Sequence, residues 1–255
     1  MRNTLIICRK ELRSYFVSPI AYLLLTAFAA IFALFFWSFV RGFSMESTAS
    51  MMRGQQLPMN LNDDLIRPLI MNTVVITFFL IPMISMRIFA EEKRTGTIEL
   101  LATSPLRDLE IVIGKWMAST LLYCGMLFIA VLNLLWLFKY GNPDWKPVAI
   151  GFLGLLLQGS ASIALGMFIS TLTRNQIIAG AVTFIVLLAL YILRWIGAYD
   201  TGTWPTVANY LSTSGHLESF AKGVLSIKDA VFYVSMILAG LFLTSRSLES
   251  LRWRA

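Results

Sequence analysis

Long apolar runs punctuated by short charged segments dominate this chain. Windows without charge lie at 14–40, between Arg13 and Arg41, at 68–86, between Arg67 and Arg87, and at 116–138, between Lys115 and Lys139. Two more, 147–173 and 175–193, are separated only by Arg174, and a sixth covers 230–245. A helix needs about 20 apolar residues to cross a bilayer. The first five windows meet or approach that length, and Ile227 with a snorkelling Lys228 extends the sixth. Buried core helices account for one or two such runs in a protein, not six. The pattern predicts one all-α integral membrane domain over 1–255, with spans near 20–40, 68–88, 116–138, 148–171, 177–195 and 227–245.

The segments between the spans carry patterns of their own. In 3–16, NTLIICRKELRSYF, Leu5, Ile6, Cys8, Leu12 and Phe16 share one helical face and Arg9, Lys10 and Arg13 lie opposite. That is the pattern of an amphipathic helix in the membrane interface; the plainer alternative is an extension of span 1. Pro19 predicts a bend between the two. Residues 41–67 read as a flexible loop, whose Met45, Met51, Met52 and Met59 with Asp63-Asp64 make no dense metal-ligand motif. Pro82 predicts a kink near the end of span 2. Span 4 carries Gly151, Gly154, Gly159 and Gly166 with Ser160 and Ser162, and span 5 carries Gly180 and Ala181. Small residues at such spacings let helices approach closely, within the chain or against another. Segment 196–226 is too long for a turn. Trp195, Tyr199, Trp204 and Tyr210 suit a membrane–water boundary, and short half-helices dipping into the outer leaflet fit the segment.

Composition sharpens this reading. Only 14% of residues are charged and mean hydropathy is +0.72, against roughly 25% charged residues in a soluble domain. With the N-terminus inside, Arg2, Arg9, Lys10, Arg13, Arg87, Lys93, Arg94, Arg107, Lys115, Arg174, Arg246, Arg252 and Arg254 share one side. These are 13 of the 21 basic residues, while the acidic residues split seven and seven, so nearly all of the net +7 lies on that side. The positive-inside bias predicts both termini in the cytoplasm. Basic loops beside spans suit anionic lipid headgroups, so the excess implies membrane lipids and no nucleic acid. The first apolar run lacks a short h-region with a cleavage site and is expected to be a retained span. Cys8 and Cys124 fall at different depths, which predicts packing residues and neither a disulfide nor a metal site.

The most elaborate polar segment is EEKRTGTIELLATSPL, residues 91–106. Gly96 is expected to break the helix continuing from span 2. Thr97 then caps a new helix with Glu99 in its first turn. That helix runs only to about Thr103, because Ser104-Pro105 reads as a fresh N-cap followed by proline at N1. Asp108 and Glu110 sit near the second start, which feeds through Gly114-Lys115-Trp116 into span 3. The product is a short helix, Ile98–Thr103, presenting Ile98, Leu100 and Leu101. A solitary helix of this length is unstable in water, so its apolar residues must dock, either on this chain's own inner surface or on a soluble partner.

The run AEEKRTGTIELLATSPL followed by LEIVIGKW resembles the loop between spans 2 and 3 of ABC-2-type transporter permeases. Within that superfamily the chain is most similar to the gliding-motility transporter permeases (GldF-like), a likeness shared by ESFAKGVLSIKDAVFYVSM and the ending LTSRSLESLRW. The resemblance covers the whole chain. It implies that the short helix is a cytoplasmic coupling helix seated on a separate ABC ATP-binding subunit, two copies per transporter. Glu91, Glu92, Gly96, Thr97, Glu99, Ser104 and Pro105 match the family motif, with Ile98, Leu100 and Leu101 as the apolar contact. It implies further that 3–16, with Arg9, Lys10 and Arg13, is the connecting helix, and that 197–226 is an outer re-entrant segment. A second permease chain, the same or a related one that can carry an extracytoplasmic domain, would complete a transporter in the bacterial inner membrane. Ala102 stands where many relatives carry a bulkier aliphatic residue.

No phosphate-cradling G-x-x-x-x-G-K-[ST] occurs in the sequence, so ATP and Mg are expected on the partner subunit and no cofactor on this chain. The only histidine, His216, suggests at most an acid/base pair with Glu218, and no catalytic residue is expected. No ionisable residue falls at mid-depth in a span, as an ion-coupled carrier would require. The competing readings are a membrane scaffold for a motility or secretion complex and a lipid-modifying membrane enzyme.

Overall fold

Ser18 and Pro19 make the first corner. Helix α1 (Arg2–Val17) ends there; the Ser18 hydroxyl accepts from the Ile20 N–H at 3.5 Å, and Pro19 opens α2 (Pro19–Met52) at a position where its missing N–H costs nothing. The computed structural model describes residues 2–53, 60–98, 106–199 and 203–252. A π-helical turn (Asn62–Ile66) leads into α3 (Arg67–Ser85), then come α4 (Ala90–Thr95), α5 (Asp108–Tyr140), α6 (Trp145–Leu172) and α7 (Gln176–Tyr199). Two short helices, α8 (Thr203–Leu211) and α9 (Thr213–Ala221), precede α10 (Ile227–Arg252). Among the described residues there is no strand, and six helical stretches are long and apolar enough to cross a membrane. The protein is an all-α integral membrane protein.

Three boundaries differ from the sequence reading. Helix α2 holds 34 residues, about 51 Å at 1.5 Å per residue, so it runs far beyond a hydrocarbon core of about 30 Å. Positions 41–52 are therefore helix and not flexible loop, because nothing in RGFSMESTASMM except Gly42 opposes helix. Met59, with the rest of 54–59, lies outside the described residues. Helix α10 likewise continues past Thr244 to Arg252. Helix α5 begins at Asp108, with Arg107 extended at the N-cap and Leu106 non-helical, so it does not start at Ser104-Pro105. Glu110 accepts from the Arg107 N–H at 3.4 Å, which fixes the start there.

The helices alternate between two faces. The terminal face gathers α1, α4, the start of α5 and the 173–175 turn. The distal face gathers the π-helical turn, the 141–144 turn, α8 and α9. Helices α3 and α6 form the centre, with 67% and 61% of their apolar windows buried, against 17% for α2. The exposed flanks of α2, α5, α7 and α10 carry large apolar side chains such as Leu34, Trp37, Phe128, Ile185 and Leu238. Apolar exposure on this scale requires lipid contact.

The glycines of α6 are consumed inside the chain. A Cβ at Gly151 would fall 2.3 Å from Ile70, at Gly154 2.5 Å from Phe220, at Gly159 2.1 Å from the Tyr123 ring and at Gly166 2.3 Å from Ser85. These residues let α3, α5 and α9 approach the α6 backbone, so the face is filled and offers nothing to another chain. The Tyr123 hydroxyl donates to Leu155 O at 3.1 Å, which pins that ring in place.

On the distal face Glu218 ties three elements. Its carboxylate meets Arg67 at 2.9 Å, Arg194 at 2.5 Å and Lys222 at 2.9 Å. The Lys222 hydrogen bond, aided by Arg194 and Arg67, holds that carboxyl below the usual carboxylate range. His216 therefore does not pair with Glu218. It contacts Asp229 instead, at 2.6 Å. The side chains of Tyr199 and Trp204 lie outside the described set.

Substituting Gly159 by Ala drives a methyl into the Tyr123 ring, whereas a Cβ at Gly42 meets nothing within 4 Å. Overpacking costs about 1–3 kcal/mol. Thermal unfolding in detergent is expected to show a lowered midpoint for Gly159→Ala and an unchanged or raised one for Gly42→Ala.

Candidate functional site

The site is built where the chain turns from α3 into α5. After Ser85 the α-helix stops, and the backbone resumes helix at Ala90. The gap is closed from another helix: the Ser170 hydroxyl of α6 accepts from the Phe89 and Ala90 N–H groups at 2.9 and 3.0 Å and donates to Met86 O at 3.4 Å. One side chain thus satisfies groups that a helix break leaves orphaned. The Lys93 ammonium donates to Thr171 O, a second link from α4 to the end of α6.

Lys115 sits at the centre. It is 3% exposed, and its ammonium donates to Glu92 Oε1 at 2.7 Å, Glu11 Oε1 at 3.1 Å and Ile88 O at 3.1 Å. Three N–H donors meet three oxygens, which is the full capacity of the group. The Phe89 ring lies 5.2 Å below it. The three oxygens belong to α1, α4 and the α3–α4 elbow, so one buried charge holds three segments to α5.

Helix α1 is seated by further contacts along the same flank. Asn3 donates to the Glu110 carboxylate at 3.2 and 3.3 Å, and Tyr15 meets the Ser119 hydroxyl at 3.1 Å. Gly114 permits this approach, since a Cβ there would come within 2.9 Å of Ile7 and Thr4 O. The expected division into an apolar and a basic face gives way to one side on the protein and one side turned away from it. Asn3, Ile7, Cys8, Glu11 and Tyr15 turn toward the protein, while Leu5, Ile6 and Phe16 are exposed. Arg9, Lys10 and Arg13 are exposed as well. On this outward side apolar and basic residues interleave, a mixture that fits a helix lying among lipid headgroups.

The predicted coupling residues separate into groups. Glu91 pairs with Arg87 at 2.8 Å. Glu92 turns inward to Lys115, so it anchors the elbow and presents no charge to a partner. Gly96 adopts φ +74° with open space around it, so the position needs glycine for its conformation and not for room. Thr97 is exposed, but its hydroxyl reaches back to Thr95 Oγ1 at 3.0 Å and Glu92 O at 3.5 Å, closing α4 where it was expected to cap the next helix. Ile98 is half-buried and packs on the chain's own core. Glu99, Leu100, Leu101, Ser104 and Pro105 lie outside the described residues.

The profile of a family described as ABC-2 family transporter protein matches residues 5–242. The chain belongs to the ABC-2 transporter family. Comparison with curated proteins gave no match. The protein is thus a multi-pass membrane component of a transport system, and its α3–α5 elbow is the site the resemblance singled out.

Lys115, Glu11 and Ser170 were not singled out in the sequence reading. Lys115 was counted as a loop charge at the edge of span 3. One signal was available: it follows Gly114 and precedes an uninterrupted apolar run, where a lysine without a partner is costly. Its partner Glu11 is the only acid in α1, but nothing in sequence joins residues 104 positions apart.

Removing one member of a buried ion pair costs about 3–5 kcal/mol, because the other is left uncompensated. Lys115→Met is expected to destabilise the detergent-solubilised protein by this order and to expose α1 to protease. Glu11→Gln keeps a hydrogen-bonding oxygen and is expected to cost less.

Proposed function

We propose that this chain is the membrane permease of a bacterial inner-membrane ABC exporter, driven by a separate ATP-binding subunit that docks on residues 91–106. Its relationship is to the gliding-motility (GldF-like) permeases, and the terminal face, with both termini, is cytoplasmic. The partner supplies ATP and Mg and is present in two copies. A second permease chain completes the complex, and the exposed side of α3 and α7, with Phe79, Met83, Ala181 and Phe184, is the surface offered to it.

The observation that carries this reading is the clamped elbow. Helices α4 and α1, the α3–α4 junction and α5 meet at Lys115, and Ser170 adds α6. A segment bearing a docking loop and fixed to four helices moves them together when pushed. Family membership supports the ATP-binding partner, since ABC-2 permeases are transport components driven from outside the membrane domain. Leu109, exposed in the first turn of α5, extends the apolar contact beyond the loop.

In this reading Leu100 and Leu101 are buried on docking, each contributing about 1.5–3 kcal/mol. Glu91 and Glu99 contribute less, as exposed charges do. Leu100→Asp with Leu101→Asp is expected to release the ATP-binding subunit while leaving the membrane helices inserted. Affinity capture from native membranes, with mass spectrometry of the co-purifying ATP-binding protein, measures this. Equal recovery with wild type and double mutant would mean that the loop docks on the permease itself, and a scaffold role would replace coupling.

A further inference from the structure

The distal face holds a cavity of about 480 Å³ walled by Arg194, Tyr210, His216, Glu218, Lys228 and Asp229. We propose that it is a binding site for an anionic phosphate group of the kind carried by a lipid headgroup. The inference is independent of the coupling reading.

The charge around the cavity, taken with the cations bonded to its walls, points to this ligand. Glu218 already receives Arg67, Arg194 and Lys222, three cations against one carboxylate. Asp229 is answered by His216, whose Nδ1 lies 2.6 Å from Asp229 Oδ1 and whose Nε2 lies 2.8 Å from Tyr210 O. The ring is 6% exposed and stacks on Phe232 at 3.9 Å, so it is held in that orientation. Lys228 is exposed, lies over the Tyr210 ring at 5.6 Å and has no carboxylate partner among the described residues. Among the described residues four fixed cations, Arg194 and Lys228 in the walls and Arg67 and Lys222 behind Glu218, therefore surround two carboxylates that are already satisfied.

A cavity of this size suits a small headgroup, and Arg with Lys supplies planar and point-charge donors to phosphate oxygens. Its position agrees. Trp195 and Tyr210, both exposed, flank it at the end of the bundle, where amphipathic aromatics mark the membrane–water boundary. Lipid phosphates lie at that level. Free phosphate offers the same chemistry, and the test separates the two sources.

Lys228 makes no ion pair among the described residues, so Lys228→Gln removes charge without unpairing a buried group there. Lys146, exposed on the same face outside the cavity, is the control. The whole protein in detergent is titrated with phosphatidylglycerol, with net-neutral phosphatidylcholine and with inorganic phosphate, and bound ligand is counted by native mass spectrometry. Expected is one preferentially retained phosphatidylglycerol, weakened about five- to tenfold by Lys228→Gln and restored by Lys228→Arg, with Lys146→Gln unchanged. Saturable binding of inorganic phosphate without lipid preference would keep the site and assign it to the free anion. Equal retention of the two lipids with no phosphate binding, or the same loss in both glutamine variants, would overturn the proposal.

Discussion

A buried lysine must be answered on every donor or it will not stay charged. That constraint governs the terminal half of this protein. Withdrawing an ammonium from water costs several kcal/mol, and Lys115 recovers this from two carboxylates and a carbonyl that arrive from separate segments. The arrangement also sets order among those segments. Helix α1 cannot slide along α5 without carrying Glu11 off the ammonium, and α4 cannot tilt without carrying off Glu92. Gly114 completes the logic by admitting α1 to the distance at which Glu11 can reach.

The same economy operates in the centre of the bundle, with size in place of charge. Helix α6 touches α3, α9 and α5 through Gly151, Gly154 and Gly159, each lacking bulk where a neighbour has it, and α10 reaches Ala164 of α6 through its own Gly240. Ile70, Phe220 and Tyr123 fill the missing volume. In a membrane the apolar effect does not drive helices together, and close backbone approach with good packing does. At its terminal end α6 changes role: Ser170 supplies the polar contacts that let the adjacent chain break its helix. One helix thus packs the core and props the elbow.

Much of this was legible in sequence because one physical signal dominates. Uncharged windows of spanning length can be read without knowing any contact, and the Pro19 corner, the Gly96 break and short helices after span 5 follow from local chemistry. What escaped reading was of two kinds. Helix continued wherever no breaker opposed it, so 41–52 and 246–252 stayed helical although they lay outside the apolar windows. Pairings between distant residues were also hidden. His216 beside Glu218 in sequence suggested a pair, yet helical geometry points 216 and 218 to different sides, and each found its partner elsewhere. Glu11 with Lys115 and Ser170 with Phe89 are of the same kind. The charged 91–106 segment stood out as a motif, and the inward turn of Glu92 did not, because a motif does not say which way a carboxylate faces.

The placement of charge also bears on where work enters. Among the described residues, carboxylates, ammonium groups, guanidinium groups and His216 all lie toward the two ends of the spans. Mid-span, the buried polar groups are hydroxyls and the amide of Gln158, whose nitrogen and oxygen meet no partner among the described residues. A carrier driven by an ion gradient needs a titratable or coordinating cluster at mid-depth, and a lone amide cannot serve as one. Force applied at the terminal face finds a different situation. Lys115 and Ser170 fix the elbow to α1, α5 and α6, and α3 runs from that elbow to Arg67, which is bonded to Glu218 beside the distal cavity. Among the described residues the centre of the membrane is thus packed for rigidity and both ends are built from charge, the arrangement that the proposed coupling would use.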